Sequence, residues 1–281
     1  MPLFKTTKAE SSVKRLPGAT KVPEIVAVFW ILKLLTTAMG ESASDFLMKA
    51  NPAVGLALGV IGFVATLQLQ FRTRRYHPVT YWAAVSMVAV VGTMIADVLH
   101  VGLGVPLAAA TVICAAALAV TFVTWYLAEG TLSIHSVTTP RSETFYWLAV
   151  SFTFALGTAA GDLTADTLGL GYFGSIVLFA AIMAVPILGR YAFGLNSILA
   201  FWFAYVVTRP LGASVADWLA KPAKVRGVGL GDGPVAVVLL VLIVILVTVV
   251  AVRWTDPTTA AAPDEAASDE HADERANRGR V

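Results

Sequence analysis

The stretch WILKLLTTAMGESASD, residues 30–45, contains a Trp, a Gly and an Asp whose spacing recurs along the chain. The Gly follows the Trp by ten residues, and the Asp follows the Gly by five. The four copies are Trp30-Gly40-Asp45, Trp82-Gly92-Asp97, Trp147-Gly157-Asp162 and Trp202-Gly212-Asp217. Each copy lies in a long apolar segment, where an ionisable side chain is costly and by default marks a functional position. Because the four carboxylates occupy the same position in each copy, the sequence predicts that they come together around a positively charged group.

The composition around this pattern is that of an integral membrane protein. Of the 281 residues, 57% are hydrophobic and only 14% are charged, whereas a soluble domain carries about a quarter charged residues. A membrane-spanning helix needs about 20 apolar residues. Eight such runs occur, at about 24–48, 52–70, 79–100, 104–127, 144–166, 172–193, 197–219 and 233–252. The sequence predicts an all-α, polytopic membrane protein with about eight transmembrane helices.

The predicted repeat unit is a pair of helices, because the Trp-Gly-Asp pattern falls on every second helix. The four helices that carry it all run in the same direction, so the repeats are parallel and their faces can meet at one centre. The prediction is a basic segment at 1–22, a membrane domain at 23–254 and a disordered polar tail at 255–281. Within the membrane domain, the predicted repeats are at about 23–70, 79–127, 144–193 and 197–252.

The distribution of Lys and Arg predicts the orientation, because cytoplasmic loops carry an excess of these residues. With eight helices, both termini lie on one side of the membrane. That side holds Lys5, Lys8, Lys14, Arg15, Lys21, Arg72, Arg74, Arg75, Arg141, Arg190 and Arg253, against Lys49, Lys221, Lys224 and Arg226 on the other. We therefore expect both termini in the cytoplasm. The net charge of +2 reflects this loop bias and does not suggest a nucleic-acid partner.

The Trp and Gly positions have structural explanations. Each Trp begins its helix beside another aromatic residue, which is typical of anchoring at the membrane interface. The glycines are expected to let neighbouring helices approach closely. Since a helix rises about 1.5 Å per residue, each Asp lies about 22 Å beyond its Trp, near the helix C-terminus. The macrodipole is negative there, so four aspartates at such ends call for a compensating cation.

The polar stripe extends one helical turn before each aspartate. The residues four positions earlier are Glu41, Thr93, Thr158 and Ala213, on the same helix face. Carboxylate and hydroxyl oxygens without Cys or His suit Mg²⁺, Mn²⁺ or Ca²⁺ rather than softer metals. The predicted ligands are Asp45, Asp97, Asp162 and Asp217, with Glu41, Thr93 and Thr158 as auxiliary ligands.

Two basic residues, Lys33 and Arg209, also fall inside the apolar segments. They either neutralise acids in static pairs or act as internal counter-ions that hold the acids when the site is empty. The five acids of the stripe outnumber these two bases, so bound protons or a bound cation must supply the remaining positive charge.

Three segments resemble a known family: KVPEIVAVFWILKLLTTAMGESASDFL (21–47), FYWLAVSFTFALGTAAGDL (145–163) and FWFAYVVTRPLGASVADWL (201–219). The family is that of bacterial membrane proteins built from a tandem repeat of unknown function, described as uncharacterised membrane-anchored proteins. The resemblance spans about residues 20–252 and implies a multi-pass protein of the bacterial inner membrane. It implies no particular substrate.

The preferred functional hypothesis is a transporter or exporter of a small inorganic cation, namely a hard divalent metal of the Mn²⁺ or Mg²⁺ type, with coupling to protons. The alternative is a membrane scaffold or sensor whose buried acids only lock helix packing. An enzyme is not expected, because neither His-Glu-x-x-His nor Gly-x-Ser-x-Gly occurs. No cofactor is expected, the lipid bilayer is the other partner, and the oligomeric state is left open.

Overall fold

The computed structural model describes residues 20–255, and within them the chain forms eight α-helices and no strand. The helices are α1 (Ala27–Ala50), α2 (Pro52–Arg72), α3 (Pro78–Asp97), α4 (Leu107–Glu129), α5 (Pro140–Asp162), α6 (Gly171–Ala192), α7 (Ser197–Ala220) and α8 (Asp232–Thr255). The predicted all-helical fold is confirmed. The predicted segments 1–22 and 255–281 lie outside the described residues, apart from residues 20–22 and 255.

Local capping explains where several helices begin. The Asn51 side chain accepts a hydrogen bond from a backbone N–H of the first turn of α2, and Pro52 occupies the first helical position. Thr139 and Ser142 form a reciprocal capping box at the start of α5. The Asn196 side chain accepts hydrogen bonds from two backbone N–H groups at the start of α7. These caps bind N–H groups that would otherwise lack partners at the helix ends.

The four odd-numbered helices form a closed ring, in which α1 contacts α3, α3 contacts α5, α5 contacts α7 and α7 contacts α1. Each even-numbered helix lies outside the ring against the odd-numbered helix of the next repeat. Thus α2 packs on α3, α4 on α5, α6 on α7 and α8 on α1. The four two-helix repeats are therefore arranged in pseudo-four-fold order around one axis, and the faces carrying the Trp-Gly-Asp pattern meet at that axis.

Seven of the eight helices are long and apolar enough to cross a membrane. The exception by composition is α1, which carries Lys33, Glu41, Asp45 and Lys49. Contacts with α2, α3, α7 and α8 surround α1, and both Lys33 and Glu41 are buried. The even-numbered helices have the opposite character, because they are mostly exposed. In the apolar stretch of α2, 11% of the residues are buried, whereas 61% are buried in that of α7. Their exposed apolar side chains suit contact with lipid.

The Trp residues close one end of the ring, which we call the Trp end. The aromatic residue before each Trp packs against the Trp of the next repeat. The ring centroids are 5.7 Å apart for Phe29–Trp82, 5.7 Å for Tyr81–Trp147, 6.2 Å for Tyr146–Trp202 and 5.9 Å for Phe201–Trp30. Three of the four Trp side chains are buried. The expectation of interfacial anchoring was therefore wrong for them, because inter-helix packing uses these rings instead.

The glycines form the second layer of ring contacts, midway along the helices. A Cβ added to each glycine would overlap the residue that stands eight positions before the Asp of the next repeat. The contacts are Gly40 on Ala89, Gly92 on Phe154, Gly157 on Arg209 and Gly212 on Thr37. Absence of a side chain lets adjacent backbones approach at these points. The ring is closed here as well, and the packing role predicted for the glycines agrees with these contacts.

We predict that Gly157→Ala destabilises the protein, whereas Gly161→Ala in the same helix does not. A Cβ at Gly157 would overlap Arg209 and lie 2.9 Å from Pro210, but one at Gly161 would meet its nearest atom at 3.8 Å. Overpacking costs about 1–3 kcal/mol, whereas Ala in an uncrowded helix position gains about 0.5–1 kcal/mol over Gly. Thermal unfolding in detergent measures both. Equal stability of the two variants would contradict this account of the ring.

Candidate cation site

A buried polar cluster lies at the centre of the ring. The guanidinium of Arg209 donates from Nη2 to Glu41 Oε2 at 2.7 Å, to Thr158 Oγ1 at 2.7 Å and to Thr93 Oγ1. Its Nη1 donates to the backbone carbonyl of Thr37 at 3.3 Å. The side chains of Arg209, Glu41, Thr93 and Thr158 are each 4% exposed or less. One guanidinium thus joins the four ring helices, and the three predicted auxiliary ligands meet around it.

The helix contacts explain why a long side chain fits there. Gly157 leaves room for the aliphatic stem of Arg209, whose Cβ and Cγ occupy the space a side chain would need. Pro210 follows inside α7, and its missing N–H leaves the carbonyl of Val206 without its helical donor. The aromatic ring of Phe154 lies 5.2 Å from the Arg209 Cζ atom. The position is therefore shaped by α5 and α7 together.

Lys33 lies deeper in the bundle, towards the Trp end, and is fully buried. Its Nζ atom is 3.7 Å from the ring centroid of Phe154 and 4.0 Å from that of Tyr205. It has no hydrogen-bond partner within residues 20–255. Stacking on two aromatic faces gives an ammonium group cation–π stabilisation. In this structure Lys33 is therefore held by aromatic rings, and it is Arg209 that contacts a carboxylate.

Three acids come close enough together to hold a metal ion. Carboxylate oxygens of Glu41, Asp162 and Asp217, from α1, α5 and α7, all lie within 4.8 Å of one another. Asp97 lies nearby and interacts electrostatically with Glu41 and Asp45. Asp162 likewise interacts with both Asp97 and Asp217. The acids therefore gather at one end of the ring, which we call the Asp end.

Asp45 is engaged in an ion network at the mouth of the Asp end. Lys221 contacts Asp45, lies 3.4 Å from Asp217 and lies 3.8 Å from Asp232. Lys49 lies 3.2 Å from Asp45 and 2.6 Å from Asp232. Burial lowers the pKa of Lys221, but the carboxylates of Asp217, Asp45 and Asp232 outweigh it and hold that pKa above its usual value. Lys221 is therefore charged at neutral pH.

Sequence reasoning placed Lys49 and Lys221 in outer loops and missed their role, although the spacing carried a signal. Each lies four residues after an aspartate of the pattern, Lys49 after Asp45 and Lys221 after Asp217. Such a separation brings side chains together on one helix face. The charge count made from Lys33 and Arg209 alone was therefore incomplete.

Asp97 and Asp162 differ from the other two aspartates of the pattern. Neither makes a hydrogen bond or an ion pair within 4.0 Å to another part of the chain between residues 20 and 255. Each is followed directly by a π-helical turn, at Val98–Gly102 and Leu163–Thr167. Such turns are rare and occur frequently at functional sites. Within the described residues, the aspartates of the pattern that lack a basic partner therefore lie on the second and third repeats.

Two surface cavities lie away from this cluster, at the Trp end. One, of about 330 Å³, includes Phe29, Trp82 and Leu246 in its lining. The other, of about 360 Å³, includes Phe122 and Trp202. Both linings are mainly apolar, so these cavities do not provide the ligands that a metal ion needs.

We predict that Lys221→Met lowers thermal stability and that Lys224→Met in the same loop leaves it unchanged. Removal of Lys221 deprives Asp217 and Asp45 of a charged partner, whereas Lys224 is exposed. Hydrogen bonds to charged groups contribute about 1.5–3 kcal/mol each, so the expected loss is about 1–3 kcal/mol. Unfolding of detergent-solubilised protein followed by circular dichroism checks this. Identical melting curves for the two variants would show that the network contributes nothing to stability.

The fold and the cluster define a class: a multi-pass helical membrane protein built from four tandem two-helix repeats around a central ring. The chain belongs to the family defined by a Repeat of Unknown Function (DUF347), whose model matches residues 28–76, 80–131, 145–194 and 200–255. The predicted resemblance to a family built from a tandem repeat of unknown function is thereby confirmed. Comparison with curated proteins and with solved structures gives no match.

Proposed function

We propose that this protein is a membrane transporter of a small cation, a hard divalent metal such as Mn²⁺ or Mg²⁺, and not an enzyme. The observation that carries the proposal is the set Glu41, Asp162 and Asp217, whose carboxylate oxygens lie within 4.8 Å of one another inside the helix bundle. Oxygen ligands of this kind suit hard divalent ions. Asp97, Asp45, Thr93 and Thr158 complete the proposed oxygen-rich surroundings.

The charge balance supports a bound cation. Glu41 is paired with Arg209, and Asp217 lies near Lys221, but no base is within ion-pair distance of Asp162 in the described chain. Asp162 and Asp217 are also in the last turns of α5 and α7, where the helix dipole adds negative potential. A divalent ion between three carboxylates compensates both contributions.

Clustered carboxylates also provide a means of coupling. Acids this close share protons and titrate together, so binding of a metal ion releases protons and protonation releases the metal. Such an exchange is what a proton-coupled antiporter requires. Protons would compete for the same oxygens on whichever side of the membrane the site faces.

A scaffold or sensor is the second candidate, and the ion pairs between helices favour it. Arg209 links α7 to α1, α3 and α5, while Lys221 links α7 to α1 and α8. Static pairs of this kind hold helices in one arrangement. A scaffold requires neither the ionised form of Asp162 nor a bound metal, which separates the two proposals.

We predict that Asp162→Asn weakens Mn²⁺ binding by about tenfold or more, while Asp166→Asn has little effect. Asn keeps the size of Asp162 but removes its charge, whereas Asp166 is exposed four residues further along. Calorimetric titration of purified protein with Mn²⁺, Mg²⁺ and Ca²⁺ measures the affinities. Wild-type affinity should fall from neutral to mildly acidic pH, because protonated carboxyls do not bind metal.

The transport proposal has its own measurement, Mn²⁺ uptake into proteoliposomes with and without a pH gradient. Asp162→Asn protein should be incorporated normally but inactive. Equal responses of wild-type and Asp162→Asn protein to every ion, or an affinity that does not change with pH, would support the scaffold.

We further propose that the protein lies in the bacterial inner membrane with both termini in the cytoplasm, so that the Asp end faces the opposite side. The support is the excess of Lys and Arg in the loops on the terminal side. A phosphatase reporter, active only outside the cytoplasm, should be inactive when fused after Val281 and active when inserted after Lys224. The reverse result would invert the orientation.

A further inference from the structure

We propose that Arg209 competes with the substrate cation for Glu41. In the absence of substrate its guanidinium fills the central cradle, formed by acceptors on Thr37, Glu41, Thr93 and Thr158. A cation bound between Glu41, Asp162 and Asp217 excludes it. The inference rests on the proposed function, because it assigns the competing cation of that same site. It also makes a claim of its own, namely that the cradle binds a free guanidinium ion when the Arg209 side chain is removed.

The cradle is built to hold a cation. Its four contacts with Arg209 are all acceptors: a carboxylate oxygen of Glu41, hydroxyl oxygens of Thr93 and Thr158, and the carbonyl of Thr37. They come from three helices and enclose a group with no solvent exposure. Planar donors with several N–H groups match such a set of acceptors.

The other three repeats have no charged residue at the position that Arg209 occupies in the fourth. The residues equivalent to Arg209, eight positions before the other aspartates, are Thr37, Ala89 and Phe154. None of them carries a charge, so only the fourth repeat supplies a cation at this level. One helical turn further along each helix, the equivalent residues are Glu41, Thr93, Thr158 and Ala213, and Glu41 is the only acid among them. Its carboxylate accepts a hydrogen bond from the Arg209 guanidinium. The Arg209–Glu41 pair therefore consists of one base and one acid at two repeat positions where the other repeats carry uncharged residues.

Glu41 belongs to two arrangements that cannot both be filled. Its Oε2 atom is 2.7 Å from Arg209 Nη2, and its carboxylate is also a member of the set with Asp162 and Asp217. A divalent ion on that set would lie within a few ångströms of the guanidinium. Repulsion between like charges is strong at such distances in a poorly polarisable interior. Metal binding and the Arg209–Glu41 contact therefore oppose each other.

The Arg209 side chain is held in a way that permits its release. Its Nη atoms make all four cradle contacts, whereas Nε has no hydrogen-bond partner in the described part of the chain. Pro210, the next residue, interrupts the backbone hydrogen bonds of α7 at this level. Helices bend preferentially at such points, so a change in the course of α7 at this level would move the Arg209 side chain relative to the cradle.

The test is Mn²⁺ titration of Arg209→Ala, with Arg190→Ala as the matched control because Arg190 is exposed on α6. We expect Arg209→Ala to bind Mn²⁺ at least about tenfold more tightly than wild type, which is 1.4 kcal/mol, and Arg190→Ala to bind as wild type does. Guanidinium chloride at low millimolar concentration should compete with Mn²⁺ and raise the melting temperature in Arg209→Ala alone. Unchanged Mn²⁺ affinity together with no effect of guanidinium would overturn the inference.

Arg209→Lys covers the case in which Arg209→Ala fails to fold, since it keeps a charge but loses the planar fork. We expect its Mn²⁺ affinity to lie between those of wild type and Arg209→Ala. If Arg209→Ala is unfolded without additives, guanidinium present during extraction should restore a monodisperse protein, and tetramethylammonium, which has no N–H donors, should not. Failure of that rescue combined with wild-type affinity in Arg209→Lys would also overturn the inference.

The outcomes separate this inference from the proposed function. Guanidinium binding by Arg209→Ala without Mn²⁺ binding by any variant would preserve the cradle and remove the metal site. Equal Mn²⁺ binding by wild type and Arg209→Ala, without a guanidinium effect, would preserve the metal site and make Arg209 a static structural residue.

Discussion

The close contact of four parallel helices at glycine is the constraint on which the rest of the structure depends. Each glycine accepts the neighbouring helix where any side chain would collide, as Gly212 does with Thr37 and Gly157 with Arg209. Helices that approach this closely place their polar positions on one axis, where lipid does not reach them. The aromatic contacts at the Trp end close the same ring a second time. The clustering of acids at the Asp end follows from this packing.

Once the acids share an apolar interior, their charges require partners, and the partners are unevenly distributed. Glu41 is bound by Arg209, and Asp45 by two lysines at the mouth. Asp97 and Asp162, beside the two π-helical turns, have no such ion pair in the described chain. Both side chains are partly buried, and an acid that is ionised away from water without a partner is expensive. A bound proton or a bound cation removes that cost, and the proposed function gives both residues a role.

Much of this fold could be predicted from the sequence, because the pattern that specifies it is periodic. The Trp-Gly-Asp register repeats in the chain, and parallel repeats with one polar face have few ways to pack. The side-chain assignments were harder, because they depend on which helix a residue meets. Trp82 is as compatible with a membrane interface as with a helix contact until its neighbour Phe29 is known. Lys221, in a loop by sequence, contacts Asp45 on the neighbouring helix α1.

The most direct test of the central claim is an anomalous difference map from crystals of the full chain grown with Mn²⁺. The account predicts a single strong peak per chain, inside the ring and coordinated by Glu41, Asp162 and Asp217. It also predicts that the Arg209 guanidinium has left Glu41 in that structure. A peak confined to the mouth at Asp45 and Asp232, or no peak with the Arg209–Glu41 pair intact, would contradict the claim.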